Sequence, residues 1–153
     1  MTLQVRAPVA GRAVRLADVP DEVFAQGLVG PGTAINPKPA PDDALAPVSG
    51  LLAKLHPHAF VVVAEGGRGV LVHLGIDTVQ LRGAGFELLA KEGEPVAAGQ
   101  PVVRWDPAAV AASGRSPVCP VVALDASWSA LSAVVEQGEV AAGDPLFVWE
   151  RLR

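Results

Sequence analysis

The chain has 153 residues, 50% of them apolar, a formal net charge of −4 and one cysteine. Those figures fit a single globular domain over residues 1–153 with an ordinary buried core. They exclude an internal disulfide framework or a multi-cysteine metal site, and the lack of a Lys/Arg cluster excludes the basic footprint of a nucleic-acid surface. No apolar run approaches the roughly 18 residues of a membrane-spanning helix, and "MTLQVRAPVAG" lacks the architecture of a signal peptide. A soluble, cytoplasmic protein is the expectation.

The 16 glycines and 14 prolines punctuate short Val, Leu and Ala runs with little helical period, so the expected class is all-β. "APVAG" (Ala7–Gly11) recurs as "APVSG" (Ala46–Gly50), and "EGEPVAAGQPVV" from Glu92 recurs, one residue shorter, as "QGEVAAGDPLF" from Gln137. Such duplication predicts two related halves packed face to face, a duplicated antiparallel β-sandwich. Pro20–Phe24 reads as one helical turn ended by Gly27, followed by a strand at Thr33–Asn36. Further strands are expected at Ala59–Ala64, Val70–Leu74, Phe86–Ala90, Pro101–Trp105, Val121–Leu124 and Leu146–Glu150. Asp106 and Pro107 read as N-cap and first position of a short helix that stops at Gly114. Trp105, Trp128 and Trp149 are expected as core or rim packing, and Cys119 as a small core residue ending a strand before Pro120.

All three histidines lie between His56 and His73. With Gly66-Gly67 as a two-residue hairpin turn, His73 falls opposite Phe60 and His58 becomes its diagonal cross-strand neighbour. Diagonal Cβ atoms stand about 7–8 Å apart, within reach of one shared phosphoryl group or metal ion; an odd-length turn would put the two rings on opposite faces. Apolar neighbours, with Phe60, Val62 and Leu71 on the shared face, favour a neutral His73 with a lone pair free for attack, and His58 as donor to the phosphate oxygens. Gly75 offers a carbonyl to set the tautomer of His73 and room for a partner's backbone. Asp77 either meets a cationic partner side chain or caps the following turn.

His56, His58, His73 and Asp77 also spell a zinc-hydrolase pattern. Pro57 disturbs its His-x-His element, and the order of the two elements is the reverse of that in lysostaphin-type peptidases. A lipoyl- or biotin-carrier reading of "KEGEPVAAGQPV" fails because Lys38, Lys54 and Lys91 have no matching setting.

The motifs "APVAG", "VPDEVFAQGLVGPGTAINP", "LAPVSG", "HAF" at His58, "LVHLGIDTVQLRGAGFE" from Leu71 and "EGEPVAAGQPVVRWD" cover nearly the whole chain. In order and spacing they resemble the glucose-type IIA component of the bacterial phosphoenolpyruvate-dependent sugar phosphotransferase system. The resemblance implies that His73 accepts a phosphoryl group from phospho-HPr, that His58 supports it, and that it leaves to the cysteine of a IIB domain on a membrane permease. It implies no metal or organic cofactor, and it allows regulatory proteins as further partners, so a purely regulatory binding domain is an alternative beside the zinc hydrolase. Cys119 has no counterpart role. His56 stands where a threonine is usual and Pro31 where an aspartate is usual, the latter removing a carboxylate for HPr. The chain starts almost directly at "APVAG", so no amphipathic membrane-binding extension is expected.

Overall fold

In the computed structural model residues 2–150 are described; Met1 and residues 151–153 of the expected 1–153 domain lie outside them. The strands are β1 (Thr2–Arg6), β2 (Gly11–Arg15), β3 (Gly32–Pro37), β4 (Asp42–Leu45), β5 (Gly50–His56), β6 (Ala59–Ala64), β7 (Arg68–His73) and β8 (Phe86–Leu88). They continue with β9 (Pro95–Val96), β10 (Pro101–Trp105), β11 (Cys119–Ala123), β12 (Leu131–Ser132), β13 (Glu139–Val140) and β14 (Pro145–Glu150). Two short helices, α1 (Glu22–Ala25) and α2 (Pro107–Ala112), complete the set with three 3-10 turns.

The strands form one eight-stranded antiparallel sheet, ordered β13-β2-β3-β11-β7-β6-β5-β9, and two three-stranded sheets, β1-β14-β12 and β4-β10-β8. The all-β class and antiparallel sandwich expected from the glycine and proline punctuation are therefore present. Cys119 opens β11 instead of ending a strand, because Pro120 sits inside β11, in register with Ala34 of β3.

The duplication has a backbone signature. Gly11 pairs with Val140 and Gly50 with Val96, placing the two repeats at the two ends of the large sheet. Gly143 N–H donates to Ala7 carbonyl at 2.8 Å, and its counterpart Gly99 N–H donates to Ala46 carbonyl at 2.9 Å. A Cβ at Gly11 would lie 2.1 Å from the Asn36 carbonyl oxygen, and one at Gly50 would lie 2.2 Å from that of Val63. Both repeats therefore end on glycine because the neighbouring strand leaves no room for a side chain.

Period-2 alternation sorts the sheet into two faces. Phe60, Val62, Val70, Val72, Leu74 and Val121 enter the main core, shared with Trp105, Phe147 and Trp149 from the small sheets. On the other face Ala34, Leu71 and Val122 meet Leu16, Val19, Phe24, Ile76 and Val118 in a second, smaller cluster. That cluster exists because the segment before β3 folds back over the sheet. Asp21 caps α1 by accepting from Val23 N–H at 2.9 Å and Phe24 N–H at 3.3 Å, which turns Phe24 inward. Asp106 caps α2 through Ala108 N–H at 3.0 Å, with Pro107 at the first position as expected. Trp105 and Trp149 are buried, whereas Trp128 is 50% exposed beside Gly27 and is not core. Among the described residues no helix is long and apolar enough to cross a membrane.

Candidate functional site

The hairpin carrying the histidines has a three-residue turn. Ala64 pairs with Arg68 around Glu65-Gly66-Gly67, so His73 lies opposite Ala59, not Phe60. Gly66 and Gly67 both take positive φ, 84° and 78°, which lets the extra residue fit. The expected register was one residue off: Phe60 and Val62 belong to the main core, and only Leu71 of the three predicted neighbours shares the face of His73.

An odd turn should part the two rings, yet it does not. His58 is outside the strand, in the two-residue turn Pro57-His58 between His56 and Ala59, which pair with each other. A turn residue is free of strand alternation, so its ring can swing to the face of His73. The His58 and His73 rings meet with centroids 5.3 Å apart at 70°. Their backbones are tied as well, Leu74 N–H donating to the His58 carbonyl at 2.7 Å.

His73 ends β7, and each following residue fixes it. Gly75 has φ +82°, which turns its carbonyl back onto Nδ1 of His73 at 2.5 Å. A carbonyl only accepts, so Nδ1 holds the proton and Nε2 carries the free lone pair. A Cβ at Gly75 would come within 2.7 Å of Thr78 Cγ2 and 3.1 Å of the Ser116 carbonyl oxygen. Gly75 is buried, so although its carbonyl meets the His73 ring it offers a visiting backbone no room. Thr78 Oγ1, fully buried, donates to the Leu74 carbonyl at 2.8 Å and staples the turn. Asp77 is exposed in the left-handed region, φ 59°, and its side chain makes no capping bond to the 3-10 turn Thr78–Leu81. Its carboxylate instead acts on His73 by charge.

Burial pushes the His73 imidazole below its ordinary range, against the opposing pull of the Gly75 carbonyl and of the Asp21 and Asp77 carboxylates. His58 is also held low, first by burial, then by the charges that His73 and His56 can carry. Both rings are thus neutral around pH 7.

Two contributors went unrecognised in the sequence. Phe24 sets its ring edge-on to His73 with centroids 5.2 Å apart at 61°, and Asp21 brings a carboxylate to the same ring while capping α1. The helical turn Pro20–Phe24 ended by Gly27 was the available signal, but nothing local to it points at a histidine about fifty residues later. Around the pair the surface is apolar and open: Val23 is 49%, Leu28 70% and Val79 60% exposed, on the two segments that flank His73. Pro31 is buried, its carbonyl accepting from Ala123 N–H at 2.8 Å, so this departure sits behind the surface and not on it.

His56, His58, His73 and Asp77 do not converge as metal ligands; no group of three or more His, Cys, Asp and Glu side chains does so among the described residues. The hydrolase pattern is therefore one of spacing without geometry. Cys119 is fully buried with its thiol pushed up to about 12 by desolvation, which denies it thiolate chemistry.

Residues 3–128 match the family model for the phosphoenolpyruvate-dependent sugar phosphotransferase system, EIIA 1. The chain is 33% identical over 144 residues to the glucose-specific EIIA component of Staphylococcus aureus strain Mu50, covering 93% of this chain and 86% of that protein. It is 39% identical over 144 residues to the N-acetylglucosamine-specific EIICBA component of Escherichia coli K12, covering 92% of this chain. It spans only 22% of that longer protein. The solved structure of glucose permease IIA from Mycoplasma capricolum superposes with a TM-score of 0.89 at 38% identity, covering 97% of this chain and 96% of that one. The chain belongs to the EIIA 1 family of the phosphoenolpyruvate-dependent sugar phosphotransferase system, a family of phosphocarrier components.

Proposed function

We propose that this chain is a IIA phosphocarrier whose His73 takes a phosphoryl group from the phosphohistidine of HPr and yields it to the cysteine of a IIB domain. The observation that carries the reading is the pairing of a proton-bearing Nδ1, held by the Gly75 carbonyl, with a free Nε2 beside the His58 ring. The Nε2 lone pair attacks phosphorus in line as the N–P bond of the donor breaks, and the donor imidazole leaves with its electron pair. In the second step a IIB thiolate attacks, an S–P bond forms, and His73 departs with the N–P electrons. The proton stays on Nδ1, donated to the Gly75 carbonyl, throughout. His58 donates to the phosphoryl oxygens, where charge is held in the transition state. Both steps balance without a cofactor.

The two partners visit the same nitrogen in turn, which suits a shallow surface better than a deep pocket, and the exposed Val23, Leu28 and Val79 supply its apolar contact. Asp21 and Asp77 at its edge suit basic side chains on the donor. The sites of action are the cytoplasm and the cytoplasmic face of a sugar permease.

The test is incubation with phosphoenolpyruvate, enzyme I and HPr, followed by intact-mass measurement. One acid-labile, alkali-stable phosphoryl adduct is expected, absent in His73→Ala; no adduct, or an acid-stable one, refutes the reading.

A further inference from the structure

The scheme above leaves one histidine without a role. His56, the last residue of β5, is exposed, and its ring lies against that of His58 with centroids 5.7 Å apart and planes inclined by 26°. His58 in turn meets His73 at 5.3 Å and 70°. The three imidazoles thus run in file from solvent to the half-buried His73. The tight Pro57-His58 turn, closed by the His56–Ala59 pair, leaves the first two little slack.

We propose that His56 is a third member of the phosphoryl site, a positioning residue whose ring holds the His58 ring in place while the phosphoryl group is on His73. The inference rests on the phosphocarrier reading and deepens it. A phosphoryl group on Nε2 brings close to two negative charges to the side where His58 lies. In the free protein His58 is kept neutral by burial and by its two histidine neighbours; the arriving dianion reverses the sign of the field from His73. His58 then gains a proton and donates a charge-assisted hydrogen bond. The His56 ring stacked against it limits its rotation and keeps that hydrogen bond aimed.

Charged groups of both signs neighbour the file. Asp21 from α1 and Asp77 from the loop after β7 act on His73. Glu92, from the segment before β9, accepts Leu55 N–H at 2.9 Å one residue from His56. On the basic side, Lys54 stands two residues before His56 in β5, and Arg82 precedes Gly83, at which a Cβ would lie 3.5 Å from Pro57 Cγ.

The experiment measures transfer of the phosphoryl group to the IIB cysteine from the phosphorylated wild type, His56→Ala and His56→Phe, separating kcat from KM for the acceptor. Because His56 is exposed, both variants keep the fold. His56→Ala should slow transfer about fivefold in kcat, with KM changed less than about twofold. His56→Phe, which keeps a ring and loses the ring nitrogens, should restore most of the rate. An unchanged kcat in His56→Ala, or a loss that Phe does not restore, overturns the proposal while leaving the phosphocarrier reading intact. A wild type that takes no phosphoryl group, seen by mass before any variant is made, overturns both.

Discussion

The imidazole of His73 is locked by the carbonyl of Gly75, two residues ahead on the same chain, at 2.5 Å from Nδ1. The proposed nucleophile and the group that holds its Nδ1 are thus built by three consecutive residues. No partner element has to be docked correctly for the ring to be presented with Nε2 outward, and only the burial of that ring depends on distant segments.

Gly75→Ala should therefore damage both fold and chemistry. The methyl would sit 2.7 Å from Thr78 Cγ2 at φ +82°, so the turn must open. A loss of about 1–3 kcal/mol in urea unfolding is expected, together with slower phosphoryl uptake, since an opened turn releases Nδ1. A variant that unfolds earlier but accepts phosphate at the wild-type rate would show that the carbonyl does not set the tautomer.

Phosphoryl acceptance should be flat above neutrality and fall in acid. The His73 pKa is lowered by burial, so the ring is neutral above the ordinary imidazole value of about 6.5 and charges only below it. The same sign governs stability. Unfolded His73 and His58 take protons first as pH falls through about 6.5, so stability is full above that value and declines between it and the lower folded pKa values. Rate and denaturation profiles from pH 8 to 5 check both; an acceptance rate that rises in acid would contradict a neutral nucleophile.

Phe24→Ala removes a buried ring from the second cluster and from the face of His73. A cost of about 3 kcal/mol is expected, with the His73 midpoint moving up toward the ordinary value because water reaches the ring. NMR titration of His73 reads this directly, and an unmoved midpoint would mean that α1 does not desolvate the site.

Asp106→Ala serves as the control. It deletes the α2 cap and should cost about 1 kcal/mol in thermal or urea unfolding, without altering His73 titration or phosphoryl uptake.

Cys119 should resist thiol reagents in the native protein at neutral pH, since its thiol is buried and raised to about 12. It should react fully on unfolding. Native-state modification at a rate faster than global unfolding would reveal an opening near β11.

Much of the site was legible from residue order. The run from His73 to Thr78 encodes its own geometry: a histidine at a strand end, an apolar anchor, a glycine, and a hydroxyl that bonds back to Leu74 at 2.8 Å. The repeated "APV-G" and "VAAG" segments likewise announced a duplication that the Gly143–Ala7 and Gly99–Ala46 bonds display. These features are local, or repeat a local pattern.

What failed depended on counting through a turn or on packing from afar. Alternation tells which residues share a face only once turn length is known. "EGGRG" is compatible with two or three turn residues, and backbone pairing of Ala64 with Arg68 chose three. His58 still reached His73 because a turn residue escapes the alternation that governs its neighbours. Asp21 and Phe24 come to the histidines only when the segment before β3 folds over the sheet, driven by burial of Leu16, Val19 and Phe24. Side-chain period and glycine placement are written residue by residue, whereas the meeting of distant segments is settled by how the whole chain hides its apolar surface.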